Sequence, residues 1–213
     1  MVLQTATGGI SIAIAFVFVF CLIYFCSGIE YSYKILKTEV FEMMDKKVID
    51  LMNDQINKEF YSAYLYLDFA NYYTDEGLDG FANWYKVQAQ EERDHAMLFA
   101  EFLQNNGIKV SLKAIGEPDV PMKKHADALK ASFKHEQYVT ALIHKIYDVA
   151  FSKKDYRSMQ FLDWFVKEQG EEEKNAEEMI RKYELYGSDA KGLYALNEEL
   201  KSRVYTPPSL VLD

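Results

Sequence analysis

Ala89-Gln90-Glu91-Glu92-Arg93-Asp94-His95-Ala96 sets a carboxylate and an imidazole, Glu92 and His95, one helical turn apart on the apolar face of an amphipathic segment. Stepping outward by three and four residues gives Phe81, Trp84 or Tyr85, Gln88, Glu92, His95, Phe99 and Leu103. This is one face of a helix, broken at its centre by two ligand-capable side chains. An ionised carboxylate buried there without a partner costs several kcal/mol or must neutralise, so something has to bind it.

The same interruption recurs on three other segments. From about Lys46 to Tyr73 the stripe is Val48, Met52, Gln55, Glu59, Ala63, Tyr66 and Ala70, with Glu59 near its midpoint. From about Lys124 to Phe151 it is Leu129, Phe133, Glu136, Val139, Ile143, Ile146 or Tyr147, and Ala150. From about Tyr156 to Tyr186 it is Phe161, Phe165, Glu168 or Gln169, Glu172, Ala176, Met179 and Tyr183.

Depth along the helix matters as much as face. At about 1.5 Å of rise per residue, Glu59, Glu92 and Glu136 lie roughly 12 to 14 residues from their helix starts, and Glu172 about as far from its helix end. In an antiparallel bundle the four acids share one central layer. Four carboxylates and an imidazole need cations there, and an oxygen-rich set with one nitrogen suits iron or manganese better than a thiolate zinc site. Two metal ions bridged by carboxylates satisfy the charge. Taken singly, Glu91, Glu168, Glu171 and Glu173 read as solvated helix face; the joint pattern carries the metal reading.

The 213 residues are 49% hydrophobic and 15% aromatic, enough to fill one sizeable core. A formal net charge of −9, with no basic run, argues against nucleic acid as a partner and agrees with attracting cations. The two cysteines, Cys21 and Cys26, form neither a disulfide framework nor a C-x-x-C knuckle.

The chain divides into an apolar N-terminal extension, residues 1–42, and a helical domain, residues 43–213. Residues 1–29 carry no charged side chain, and Ile10 to Cys26 approaches the length of a membrane span. Lys34, Lys37, Lys46 and Lys47 follow it, which would leave the main domain cytoplasmic behind a membrane anchor. The competing reading starts the protein at Met43 or Met44, just before the amphipathic pattern, and makes it a cytoplasmic protein without an anchor.

The punctuation of the domain predicts its topology. Thr74 to Gly80 is a tight turn, Asn105-Asn106-Gly107 ends the second helix, and Lys154-Asp155 links the third to the fourth. Ile108 to about Pro121, with Gly116, Pro118 and Pro121, is long enough to cross the length of a bundle. A short fifth helix, about Gly192 to Arg203, follows Gly187-Ser188. The expected fold is all-α, a four-helix bundle of two hairpins joined by one long crossover, the pattern described for ferritin-like bundles.

Asn57 to Tyr66, Ala89 to His95, Lys134 to Gln137 and Trp164 to Lys174 resemble the corresponding segments of prokaryotic non-haem ferritins, in order and on successive helices. The resemblance covers about Met44 to Arg203. It implies that Glu59, Glu92 and His95 hold a first iron, with Glu92 bridging, and that Glu136 and Glu172 hold a second, with the amide of Gln169 beside it. It further implies a third iron site at Glu91, Glu168 and Glu171, with Glu172 shared, and a catalytic tyrosine, Tyr66, next to the pair. Bacterioferritins and rubrerythrins carry a second Glu-x-x-His on the fourth helix; here those positions are Gln169 and Glu172, and Arg93 stands where haem-binding members have Met.

The function so implied is iron storage with ferroxidase activity. Fe(II) is oxidised by dioxygen or hydrogen peroxide at a dinuclear centre and kept as ferric mineral in a hollow homo-oligomer of 24 subunits, with the fifth helix near its four-fold axes. Tyr72 and Tyr73 are candidate interface residues. The alternatives are a di-iron peroxidase or oxygenase that stores no iron, and a tethered helical scaffold whose acids form surface salt bridges.

Overall fold

The structure is a computed structural model and describes residues 44–212. The apolar extension, its candidate membrane span and its cysteines lie outside the described residues. Among the described residues, no helix is long and apolar enough to cross a membrane. Five helices follow one another with no strand between them: α1 (Lys46–Asp75), α2 (Asp79–Asn105), α3 (His125–Lys153), α4 (Tyr156–Tyr186) and the short α5 (Ala190–Leu200). The expected all-α architecture and long crossover are thus present. The fifth helix begins two residues before Gly192 and stops three short of Arg203.

Each start has a local cause. Asp45 accepts from the Lys47 amide at 2.9 Å, Asp155 from the Ser158 amide at 3.1 Å, and Asp189 from the amides of Lys191 and Gly192 at 2.9 and 3.0 Å. These carboxylates satisfy amides that have no partner inside the helix. The ends are equally specific. Gly77 and Gly107, both at φ 72°, close α1 and α2 in left-handed backbone. The next amides, of Leu78 and Ile108, return to the carbonyls of Tyr73 and Leu103 at 2.8 and 2.9 Å. α3 ends the same way, with Asp155 N bonded to Ala150 O at 2.9 Å, but Lys154 occupies the left-handed position at φ 57°.

Neighbouring helices run antiparallel, as their side-chain partners show. Phe69 of α1 meets Tyr85 of α2 while Tyr73 meets Phe81; Phe102 of α2 stacks on Phe161 of α4 while Gln88 reaches Glu172. The crossover lies along α1, where Asn53 and Asn57 bind the backbone of Ser111 and Ala114. α5 docks through Asn197, whose side chain accepts from the Gly80 amide at 2.8 Å; a Cβ at residue 80 would stand 1.7 Å from the Asn197 carbonyl oxygen. The chain then turns back. Arg203 to Ser209 runs beside α2 and α4, with Ser209 accepting from the Trp164 indole at 3.0 Å.

The core is two apolar clusters rather than one. Val48, Met52, Phe99, Ile143 and Phe165 belong to one, and Tyr66, Phe69, Phe81, Tyr85 and Leu129 to the other. Fully burying each such side chain stabilises by roughly 1.5–3 kcal/mol, so both halves can support an unfavourable layer between them. Tyr73, expected as an interface residue, belongs to the core: it is wholly buried and stacks on Phe81 and Tyr85. Its position three residues beyond Ala70 continues the apolar stripe of α1. Tyr72 is half-buried.

Candidate metal centre

Between the two clusters lies a polar layer. Glu59 from α1, Glu92 and His95 from α2, Glu136 from α3, and Gln169 and Glu172 from α4 are each between 1% and 6% exposed. The reading of these acids as surface salt-bridge partners is therefore wrong. Helix geometry accounts for the layer: Glu59 and Glu92 each stand thirteen residues after the first residue of their helix, and Glu136 eleven.

Ligand atoms of Glu59, Glu92 and His95 lie within 4.8 Å of one another, as do those of Glu92, Glu136 and Glu172. The two groups share Glu92, so two cations could sit side by side with that carboxylate between them. His95 Nδ1 is 3.5 Å from Glu92 Oε2. A third group, His95, Glu168 and Glu172, leads outward from the pair.

The layer has few donors for its acceptors. Gln55 Nε2 donates to Glu59 Oε1 at 2.8 Å, but Glu59 Oε2 is buried with no hydrogen-bond partner. Gln88 Nε2 donates to Glu172 Oε2 at 2.7 Å and to Glu92 Oε1 at 3.3 Å. The Tyr66 hydroxyl donates to Glu136 Oε1, and Gln169 Nε2 makes a long contact, 3.3 Å, to Glu136 Oε2.

Without cations such a layer holds protons instead. Burial pushes Glu59 up to about 8, with the nearby Glu92 carboxylate adding to it. Glu136 is raised to about 8 by burial and then by Glu92, and Glu172 to about 8 by burial and then by Glu136. Glu92, between them all, is raised well above the usual carboxylate range, first by burial and then by Glu172. A carboxyl that loses water and gains anionic neighbours keeps its proton until a cation replaces it.

The outer residues are arranged differently. Glu91 is half-buried and takes a 2.6 Å ion pair from Arg203. Glu168 is half-buried, 4.0 Å from His95 Nε2. Glu171 is exposed and pairs with Lys167 at 3.3 Å. All three line a cavity of about 310 Å³ that opens beside His95 and Glu172, with Arg203 and Pro207 on its far wall. His135, next to Glu136, faces away: its Nε2 is 2.8 Å from Ser62 Oγ. The same hydroxyl lies 3.1 Å from the Lys58 carbonyl oxygen, its other partner.

Three residues of this site escaped the sequence reading. Gln55 and Gln88 lay on the stripes but appeared only as face residues; the available signal was an amide four residues before each inward acid, Glu59 and Glu92. Arg203 gave no local signal.

Residues 49–186 match the family model for the ferritin-like domain. A bacterial non-heme ferritin of Campylobacter jejuni is 34% identical over 160 residues, covering 75% of this chain and 96% of the relative. The chain belongs to the ferritin family. A probable bacterial non-heme ferritin-like protein of Haemophilus influenzae is also 34% identical, over 158 residues, covering 74% of this ferritin and 96% of the relative. Among solved structures, a novel open pore ferritin from the hyperthermophilic archaeon Archaeoglobus fulgidus is 40% identical, with a TM-score of 0.74 over 76% of this ferritin and 99% of the other chain. A closed form of the same archaeal ferritin, made by site-directed mutagenesis, is 41% identical with a TM-score of 0.75 over 76% and 99%.

Proposed function

We propose that this ferritin stores iron, taking up Fe(II) as substrate and oxidising it in the central polar layer. In this reading Glu59 and His95 bind one Fe(II), Glu136 and Glu172 bind the other, and Glu92 bridges them. The observation that carries the proposal is the convergence of four buried carboxyls and one imidazole, whose ligand atoms fall into two groups, Glu59, Glu92 and His95 and then Glu92, Glu136 and Glu172, that share Glu92. Family membership supports iron as the cation.

Carboxylates are hard anionic donors that favour Fe(III) over Fe(II), so they draw the reaction forward. Two Fe(II) give up one electron each, and one dioxygen takes both electrons with two protons to become hydrogen peroxide; peroxide can serve as the oxidant in turn. The protons displaced from Glu59, Glu136 and Glu172 on metal binding lie close to where reduced oxygen needs them. In this reading Tyr66 is the catalytic tyrosine, a role supported by the hydrogen bond that its hydroxyl donates to Glu136 Oε1. Gln169 steadies the same carboxylate. Glu91, Glu168 and Glu171, with Glu172 shared, form a third iron position through which ferric product leaves.

Storage needs a space that one bundle lacks. A cavity of about 310 Å³ takes roughly ten waters, not a mineral. The reading therefore includes a hollow assembly of 24 copies, with α5 near its four-fold axes. The domain of residues 43–213 is the unit that assembles.

Aerobic Fe(II) addition followed by size-exclusion with iron detection tests this in one run. The expected result is a large particle that elutes with many ferric ions per chain, and a Glu92→Ala protein that oxidises Fe(II) at least ten-fold more slowly. A particle of subunit size, or retention of only two irons per chain, would point instead to a di-iron peroxidase or oxygenase.

A further inference from the structure

The most connected side chain near the polar layer is outside it. Arg203, in the tail after α5, donates from Nη1 to Gln88 Oε1 at 2.9 Å and to the Trp84 carbonyl at 3.1 Å, and from Nη2 to Glu91 Oε2 at 2.6 Å. Its guanidinium lies 4.0 Å over the Trp84 ring. Asn83 holds the backbone that presents it, donating to the carbonyls of Leu200 and Arg203 at 3.2 and 3.0 Å.

Gln88 is buried and spans the gap between Arg203 and the metal-binding acids. An amide has one accepting and one donating end, and a guanidinium can only donate. Arg203 therefore fixes the Gln88 oxygen toward itself and turns the NH₂ group inward, onto Glu172 Oε2 and Glu92 Oε1. Those two bonds set the rotation of both carboxylates and leave Glu92 Oε2 on the side of His95. Arg203 also holds Glu91 at the rim of the outer cavity.

We propose that Arg203 is a positioning residue for the dinuclear site, acting through the Gln88 amide to orient the two carboxylates, Glu92 and Glu172. The inference rests on the reading of those acids as metal ligands. Arg203 touches none of Glu59, Glu92, Glu136 or Glu172 itself; its hydrogen-bonded route to the inner pair runs through the Gln88 amide, while its ion pair with Glu91 bears on the outer cavity.

The test is an anaerobic titration of the full chain with Co(II), whose visible spectrum reports the ligand set and which is not oxidised under these conditions. The unaltered protein is expected to bind two Co(II) tightly per chain; failure there would strike the ligand assignment itself, before Arg203 is at issue. Losing an outer partner that orients a ligand typically weakens metal binding about 10–100-fold. Arg203→Gln and Gln88→Leu are each expected to weaken the inner pair at least ten-fold and to alter its spectrum, and the double variant to be no weaker than Gln88→Leu alone. Arg203→Lys, the milder change, keeps the charge but not the fork and is expected to show a smaller loss of the same kind; it decides the matter should Arg203→Gln not fold. Unchanged Co(II) constants in folded Arg203 variants, or a double variant whose loss is the product of the two single losses, would overturn the proposal.

Discussion

Glu59, Glu136 and Glu172 titrate near 8 in the folded, metal-free protein and near 4.5 in an unfolded chain. Between those values the native state holds more protons, so the stability they contribute is full below about pH 4.5 and disappears as pH rises through 8. His135 works in the opposite sense: burial lowers it from 6.5 to about 4, so its contribution is complete above pH 6.5 and is lost as pH falls through 4. The window from pH 6.5 to 8 thus isolates the acids. The melting temperature of metal-free protein should fall steadily across it, and a flat or rising profile by circular dichroism would contradict the buried cluster. Divalent cation should remove the slope and release protons, visible by calorimetry in two buffers of different ionisation enthalpy. Glu59→Gln should melt above the unaltered metal-free protein at pH 8 while binding metal at least ten-fold more weakly in the same titrations. The acids themselves were legible in the sequence because a constant rise per residue converts position into depth. The raised protonation was not, since it depends on which neighbours remain after water is removed.

Helix ends are where the elements reveal their design. Asp155 caps α4 through the Ser158 amide and also accepts the Ser158 hydroxyl at 2.7 Å, all of it buried. Asp155→Ala should cost about 1 kcal/mol or somewhat more, seen as a fall of roughly 2–4 °C in melting temperature per kcal/mol for a chain of this size. Lys154 immediately before it adopts the left-handed backbone that glycine takes after α1 and α2. Lys154→Gly should therefore stabilise by roughly 0.5–1 kcal/mol, because it removes the Cβ clash without changing the two closing hydrogen bonds. Urea midpoints of the two variants should move in opposite directions; movement in the same direction would mean that the cap and the left-handed turn are not separable. The turns at Gly77 and Gly107 could be read from their glycines, and the α3–α4 link only from its brevity. Tyr73 is a core residue because it lies three residues beyond Ala70 and so extends the apolar stripe of α1 by one more turn.

At the scale of the whole molecule, helices and crossover followed from periodicity and punctuation, whereas the return of the tail could not. Arg203 stands 112 residues from its ion-pair partner Glu91, and no repeat or spacing connects them. The helical domain is expected to be complete without the extension: a chain beginning at Met44 should sediment as the same large particle as the full-length chain and load iron to the same extent. A smaller particle would give residues 1–43 a part in assembly. The tail has one more consequence. The chain contains only two tryptophans. Trp84 carries Arg203 on its ring, and Trp164 lies 5.6 Å from the ring of His95, with its indole tied to Ser209. Trp164 is thus a direct neighbour of the candidate metal centre and Trp84 is joined to it only through Arg203 and Gln88, so ultraviolet emission from the unlabelled protein should change as cations bind, chiefly through Trp164.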